Sequence, residues 1–317
     1  MAAIEVKEWA EHRGPILDSV AGFEVIECQS CGFNHVIPIP TLEELGRVYR
    51  EDYYATEKPL YLERYREDLS WWESQYAVRY QAFETYLPTT RRRIVDIGSG
   101  PGFFLRVGRQ RGWRTLGLEP SRQAAQHARE LGLEIVEEFL TTENAASFGT
   151  FDVVHMYNVL EHVPTPRALL GAASGLLEPG GVLCVTVPND YNPLQQILRD
   201  RMGFEPWWVV PPHHINYFSH ASLQGLVHSC GFEVLEATTT FPMELFLLMG
   251  DNYVGNDQLG RQVHGKRKQL ELAFYGTGAY PLLNRIYSGL ADQGIGRECV
   301  VICRKPAESA ATEEVKA

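Results

Sequence analysis

Positive charge is in short supply in this chain: 29 lysines and arginines stand against 40 aspartates and glutamates, a formal charge of -11 over 317 residues. A surface of that sign repels nucleic-acid backbones and anionic headgroups, so neither nucleic acid nor membrane is an expected partner. Long apolar runs are also lacking. The greasiest stretch, "FPMELFLLMG", is too short to cross a bilayer and contains Glu244. The opening "MAAIEVKEWAEHRGP" carries charges where a signal peptide needs an apolar segment, which points to a cytoplasmic protein. Cysteine is sparse. Cys184, Cys230, Cys299 and Cys303 lie in apolar segments as small buried hydrophobes, and no disulfide framework is indicated. Internal repeats are absent, and the one compositionally biased stretch is the tail "KPAESAATEEVKA", expected from residue 306 as a disordered end.

What is present is a periodic chain with 44% hydrophobic residues, ample for a sizeable core. Residues 1–90 read as a leading module. "FEVIEC" alternates as a strand, the CxxC of Cys28 and Cys31 makes a turn, and "TLEE" supplies a capping box between Thr41 and Glu44. From Leu62 the apolar positions Tyr65, Leu69, Trp72, Tyr76, Tyr80, Phe83 and Leu87 recur at helical spacing until Pro88, predicting one long helix with an aromatic stripe. Such a stripe faces a core, and part of it could roof a ligand pocket.

From Arg91 the pattern alternates strand and helix: "RIVDIG", "TLGLEP", "EIVEE", "FDVVHM" and "VLCVTVPN" are successive strands, with Ser121 and Ser219 expected to cap helices. "FEVLEATTTF" and "RECVVICRK" follow as a sixth and a seventh. Alternation of this kind predicts an α/β fold with helices on both faces of a largely parallel sheet and its ligand beyond the strands' carboxyl ends. Residues 242–296 are too long for a simple connection and read as an inserted helical cap on a domain of 91–305.

The first strand runs into "VDIGSGPGFF". Gly98 and Gly100 fit a dinucleotide fingerprint, but Phe103 holds the third position, and Pro101 lacks the N–H a pyrophosphate needs at a helix start. Asp96, two residues before the first glycine, repels phosphate and suits an amino group. Glu119, at the end of the second strand, is placed to accept both hydroxyls of a ribose. A nucleoside whose far end carries amino and cationic groups is S-adenosylmethionine.

In order and spacing, "VDIGSGPGFF", "LGLEPS", "FDVVHMYNVLEHVPTP" and "LEPGGVLCVTVPN" resemble the successive motifs of class I S-adenosylmethionine-dependent methyltransferases. The resemblance covers residues 91–305. It implies a Rossmann-like seven-stranded sheet whose last strand, here "RECVVICRK", inserts antiparallel between the fifth and sixth. It further implies that Asp96, Gly98, Gly100 and Gly102 hold the methionine end, Glu119 the ribose, Phe139 and Leu140 the adenine, and that Tyr157 and Asn158 line the cofactor.

The acceptor side is less explicit. "PPHHINYFS" follows the fifth strand and resembles the "HEHxxYFS" stretch of sugar C-methyltransferases, with His214 and Tyr217 matching and His213 standing where those proteins have an acid. That likeness marks His214 as the general base and a sugar or nucleotide-sugar as acceptor. A structural role for His214 stays open. Asn189, Asp190 and Tyr191 are secondary candidates for acceptor contact. Glu161 and His162 could pair as acid and base, or simply open a helix. "CQSC" supplies two of the four ligands zinc needs, with His12 and His35 as the close nitrogen donors; the likeness to sugar C-methyltransferases, which carry a fuller cysteine-rich zinc module at this end, would make "CQSCGF" a reduced version of it, and no metal is expected. An NAD(P)-dependent oxidoreductase and a non-catalytic member of the fold are the alternative readings.

Overall fold

The computed structural model describes residues 11–41, 44–45 and 61–307. The expected tail lies, from residue 308 on, outside the described residues, as does the opening decapeptide. Seven strands form the main sheet: β4 (Arg93–Ile97), β5 (Arg114–Leu118), β6 (Glu134–Val136), β7 (Phe151–Tyr157), β8 (Leu177–Pro188), β10 (Glu233–Thr239) and β11 (Glu298–Arg304). Their spatial order is β10-β11-β8-β7-β4-β5-β6. β11 runs antiparallel to both β8 and β10, while β6, β5, β4, β7 and β8 are mutually parallel. The last strand therefore sits between the fifth and sixth, as the motif order implies, and the fold is Rossmann-like.

The central strands β4 and β7 read as nearly unbroken apolar runs because both of their faces are covered. On one face, α2 (Leu69–Tyr86), α3 (Phe103–Gln110) and α4 (Arg122–Glu130) bring Tyr80, Phe83, Phe104 and Ala128 against Ile94 and Val153. On the other, α5 (Pro166–Leu176) and α7 (His220–Ser229) bury Leu170, Ala173, Leu223 and Val227 over Val95 and Val185. Ser219 caps α7 through reciprocal bonds with Ser222. Ser121 sits at the N-cap of α4 without a side-chain capping bond, and its own N–H donates to Glu119.

A second, antiparallel sheet has the order β1-β2-β3-β9, with β1 (Ile16–Val20), β2 (Phe23–Cys28), β3 (Phe33–Ile37) and β9 (Asn216–Tyr217). Its last strand comes from "HHINYFS", about 180 residues downstream of β3, so the leading segment is stitched to the far half of the chain. Thr41 and Glu44 exchange the reciprocal backbone bonds of a capping box, at 2.8 and 3.3 Å.

The single aromatic helix expected from Leu62 is two, α1 (Tyr61–Glu67) and α2, parted at Asp68. Asp68 is buried where Arg261, His264 and Lys268 converge on it from α9 (Asp257–Gly276). Burial works to raise its carboxyl, but the hydrogen bond from Lys268 and the neighbouring His264 and Arg261 hold it below the usual carboxylate range. The segment 242–296 folds as α8 (Glu244–Leu248), α9 and α10 (Tyr280–Asp292). No described helix is long and apolar enough to cross a membrane.

Candidate functional site

The loop after β4 has no uncommitted backbone N–H to offer a phosphate. Gly98 and Ser99 both donate their N–H groups to the Leu118 carbonyl, at 2.8 and 3.2 Å, and Gly102 donates to Ser99. Gly100 donates to Glu119 Oε2 at 2.7 Å, and Pro101 has no N–H. Gly98, Gly100 and Gly102 all hold positive φ, where only glycine is unstrained. A Cβ on Gly98 would meet Val159 at 2.8 Å, and one on Gly102 would press within 2.7 Å of both Ala128 and Leu133. Gly98 therefore keeps the loop low over the strand tips, and Gly102 lets α3 approach α4.

Two carboxylates flank this loop. Glu119 is buried, with Gly100 N–H on one oxygen and Ser121 N–H, at 2.9 Å, on the other. Each oxygen retains a second lone-pair direction for a ligand hydroxyl. Burial pushes its carboxyl up to about 7, the two N–H donors pull the other way, and the charge of Asp96 adds to the rise. Asp96 accepts the Nδ1–H of His155 at 2.7 Å, a contact made by the β4–β7 register, which sets the two residues opposite one another. The His155 ring stacks on Phe104 at 4.0 Å between centroids.

Both carboxylates open into a cavity of about 1220 Å³ beyond the carboxyl ends of β4, β5 and β7. Gly98, Gly100, Phe139, Leu140, Tyr157 and Asn158 line the same space. Asn158 is held at φ 53° and its buried side-chain oxygen has no protein partner. The buried hydroxyl of Ser99 is likewise unsatisfied by protein. Unpaired polar atoms of this kind are costly unless a ligand or water meets them. A glycine loop whose backbone N–H groups are all committed, two acids and an unpaired amide oxygen form a cradle for a ligand with amino and hydroxyl groups and no phosphate. The residues present fit S-adenosylmethionine.

The opposite wall comes from α2 and the 242–296 segment. Trp71, Trp72, Gln75, Tyr76 and Arg79 project from α2, and His264 and Arg267 from α9. Arg267 lies 4.8 Å above the Trp71 ring and pairs with Glu271, a fully buried acid that also accepts from Trp71, Gln75 and Tyr287. Tyr157 donates to Glu298 at 2.6 Å. The aromatic stripe thus serves two ends: Tyr80 and Phe83 face the core, while Trp72 and Tyr76 line the cavity.

Residues 65–237 match a family described as a methyltransferase domain. This chain belongs to that methyltransferase-domain family. It is 36% identical over 156 residues to the ubiquinone biosynthesis O-methyltransferase of Colwellia psychrerythraea, covering 46% of this chain and 63% of that protein. To the C-methyltransferase NovU of Streptomyces niveus it is 31% identical over 150 residues, covering 46% of this chain and 34% of that one. The matched region spans between a third and two thirds of those relatives. A solved S-adenosylmethionine-dependent methyltransferase from Archaeoglobus fulgidus aligns with 74% of this chain and 94% of its own at 16% identity, with a TM-score of 0.48.

In this methyltransferase-domain protein, the residues expected on the acceptor side do not line the cavity. Tyr217 is buried, its hydroxyl donating to the His214 carbonyl at 3.1 Å and accepting from Val210 N–H at 3.2 Å, so it braces the 210–214 loop. Asn189 donates to the carbonyls of Gly294 and Gly296 and accepts from Cys299, tying β8 to the start of β11. Tyr191 donates to Asp18 of β1. Asp190 is buried beside Arg297, and burial pushes its carboxyl up to about 7. β9 pairs with β3 in the second sheet, and these side chains are spent on contacts outside the cavity lining. Gly102, expected among the cofactor contacts, likewise sits in the packing of α3 on α4 rather than in the lining.

His162 stands at the wall instead. Its Nδ1–H donates to the His213 carbonyl at 2.7 Å, its Nε2 stands 3.6 Å from a carboxylate oxygen of the buried Glu161, and His214 packs edge-on against the ring at 5.0 Å. The likeness of 211–219 marks His214, whereas the cavity is lined by His162. His155, His264, Arg79 and Arg267 carry no local motif and become visible only when distant elements meet.

Proposed function

We propose that this chain transfers a methyl group from S-adenosylmethionine to a small-molecule acceptor held between the glycine loop and the wall formed by α2 and α9. The observation that carries this reading is the loop of 98–102 with its backbone N–H groups committed within the protein, flanked by Asp96 and Glu119, opening into the same cavity as His162 and the aromatic wall. Bound S-adenosylmethionine supplies an electrophilic methyl carbon on a sulfonium. Glu119 would hold the ribose hydroxyls, Phe139 and Leu140 the adenine, Asn158 Oδ1 the amino group, and Asp96 would add negative charge beneath the cationic end. The protein's contribution to rate is then chiefly the positioning of the acceptor and the exclusion of water.

An acceptor oxygen or enolisable carbon must also lose a proton. We assign that step to His162 Nε2 in place of His214, because His162 lines the cavity and its Nδ1–H is anchored to a backbone carbonyl, while His214 supports its ring. Arg79 and Arg267 stand on the acceptor wall, the latter already paired with Glu271, and we take the charge of Arg79 to favour an acceptor carrying an anionic group. The sugar or nucleotide-sugar acceptor drawn from the likeness of 211–219 has that chemistry in its nucleotide form. We take 91–305 as the methyltransferase domain, 1–90 as a leading module, and 242–296 as the segment that shapes the acceptor wall.

The test is calorimetry with S-adenosylmethionine, S-adenosylhomocysteine and NADH, followed by transfer of labelled methyl to a panel of nucleotide-sugars, free sugars and phenols. Binding of the first two and labelling of an anionic acceptor are expected. NADH binding without S-adenosylmethionine binding would replace the reading with an oxidoreductase, and cofactor binding without labelling of any acceptor would leave a non-catalytic member of the fold.

A further inference from the structure

Outside the cavity, the fold gathers four side chains that the linear sequence scatters. Cys28 ends β2, Cys31 lies in the turn, His35 is on β3 and His12 precedes β1; one ligand atom from each lies within 4.8 Å of every other. His12 Nδ1 stands 3.0 Å from His35 Nε2, 3.6 Å from Cys28 Sγ and 3.4 Å from Cys31 Sγ. A tetrahedral zinc ion with Zn–S of about 2.3 Å and Zn–N of about 2.0–2.1 Å demands S···N edges of about 3.5 Å and an N···N edge of about 3.3 Å. The two S···N spacings bracket the first value, and the N···N spacing is shorter than the second by about 0.3 Å. The supporting contacts match as well. His35 Nδ1–H donates to the Val36 carbonyl at 2.9 Å, which turns Nε2 inward as the unprotonated donor, and Cys31 N–H donates to Cys28 Sγ at 3.4 Å, a bond that favours the thiolate. Gly32, at φ 78°, closes the turn by donating to the Cys28 carbonyl.

We propose that His12, Cys28, Cys31 and His35 form a structural zinc site. Two sulfurs and two imidazoles in tetrahedral array suit zinc, and four protein ligands leave no position for water or substrate. On binding, the two thiols release their protons to solvent, and the two thiolates neutralise the ion. The CxxC alone is two ligands short; the hairpin and the residue preceding β1 provide the others.

The site also bears on the cavity. β3 pairs with β9, Val36 N–H donates to the Ile215 carbonyl, and Ile215 N–H in turn donates to the Glu161 carbonyl, at 2.9 and 2.8 Å. The Asn216 amide donates to the carbonyls of Leu160 and Val163, both at 2.8 Å. Zinc at the hairpin therefore clamps the strand that carries the 160–163 segment and, with it, His162.

Metal content of the full chain, read without any turnover, tests the site independently of the methyl-transfer reading. The expected result is about one zinc per chain after dialysis. Chelation followed by Co²⁺ should give the visible absorption of a tetrahedral S₂N₂ centre. Cys28→Ser and His12→Ala should each lose the metal and melt at lower temperature, whereas Cys230→Ser should keep both. If either cluster variant does not fold, the Co²⁺ spectrum of the native chain still decides. Reduced native protein that takes up less than about a tenth of an equivalent of zinc, gives no tetrahedral Co²⁺ spectrum, or keeps that spectrum as Cys28→Ser overturns the proposal.

Discussion

Replacing Glu119 with alanine has two separable consequences, both worked from its hydrogen bonds. On the protein side, Gly100 and Ser121 lose the acceptor for buried N–H groups, at about 1 to 3 kcal/mol each, so the variant should melt well below the native chain. On the ligand side, each charge-assisted bond to a ribose hydroxyl contributes about 1.5 to 3 kcal/mol. Loss of one such bond already weakens binding by tenfold or more, since about 1.4 kcal/mol is a factor of ten. Calorimetry with S-adenosylmethionine should show that loss, and Glu119→Gln, which keeps the volume and one acceptor oxygen, should fall between the two. The same carboxyl predicts opposite pH trends for affinity and stability. Burial pushes it up to about 7, and the ionised form is the better acceptor, so cofactor affinity should fall as pH drops through about 7. Stability runs the other way. A folded-state value above the ordinary 4.5 makes this group's contribution fully present below about pH 4.5 and lost as pH rises through about 7. A folded Glu119→Ala protein with native affinity, or native affinity that is flat between about pH 6 and pH 8, would remove Glu119 from the site.

Other perturbations follow from the same geometry. Gly98→Ala forces a Cβ to 2.8 Å from Val159 at a φ of 69°, and should lower both cofactor affinity and melting temperature. His162→Ala should leave cofactor affinity unchanged while cutting turnover by roughly 10² to 10⁴, with His214→Ala showing a smaller loss; full activity in His162→Ala refutes the base assignment. Arg267→Met strands the buried Glu271 carboxylate, a change expected to destabilise by about 3 to 5 kcal/mol in urea unfolding. Tyr217→Phe frees Val210 N–H and should cost stability by about 1 to 3 kcal/mol with little effect on cofactor binding.

Some of this was legible from the chain and some was not, and the difference is one of range. Strand and helix periods are local, and so is the glycine loop: the positive φ of Gly98 and Gly100, the missing N–H of Pro101 and an acid at the end of the second strand all follow from residues within about 25 positions of one another. The parallel sheet and its inserted last strand could be read from the order of those local signals. The division of the aromatic stripe could not, because Trp72 and Tyr80 share a helical face yet meet a cavity and a core respectively. At the break, Asp68 meets Arg261, His264 and Lys268 of α9, some 190 to 200 residues away.

The chain's local order alone therefore determines a Rossmann-like methyltransferase domain with a phosphate-free cradle at its strand tips, since each signal acts between near neighbours. Tertiary structure decides which histidine reaches the cavity, which arginines face it, and that two cysteines find two histidines. Those outcomes hang on β9 crossing to β3 and α9 crossing to α2, and pairings of such sequence separation are set by whole-surface burial rather than by any local motif.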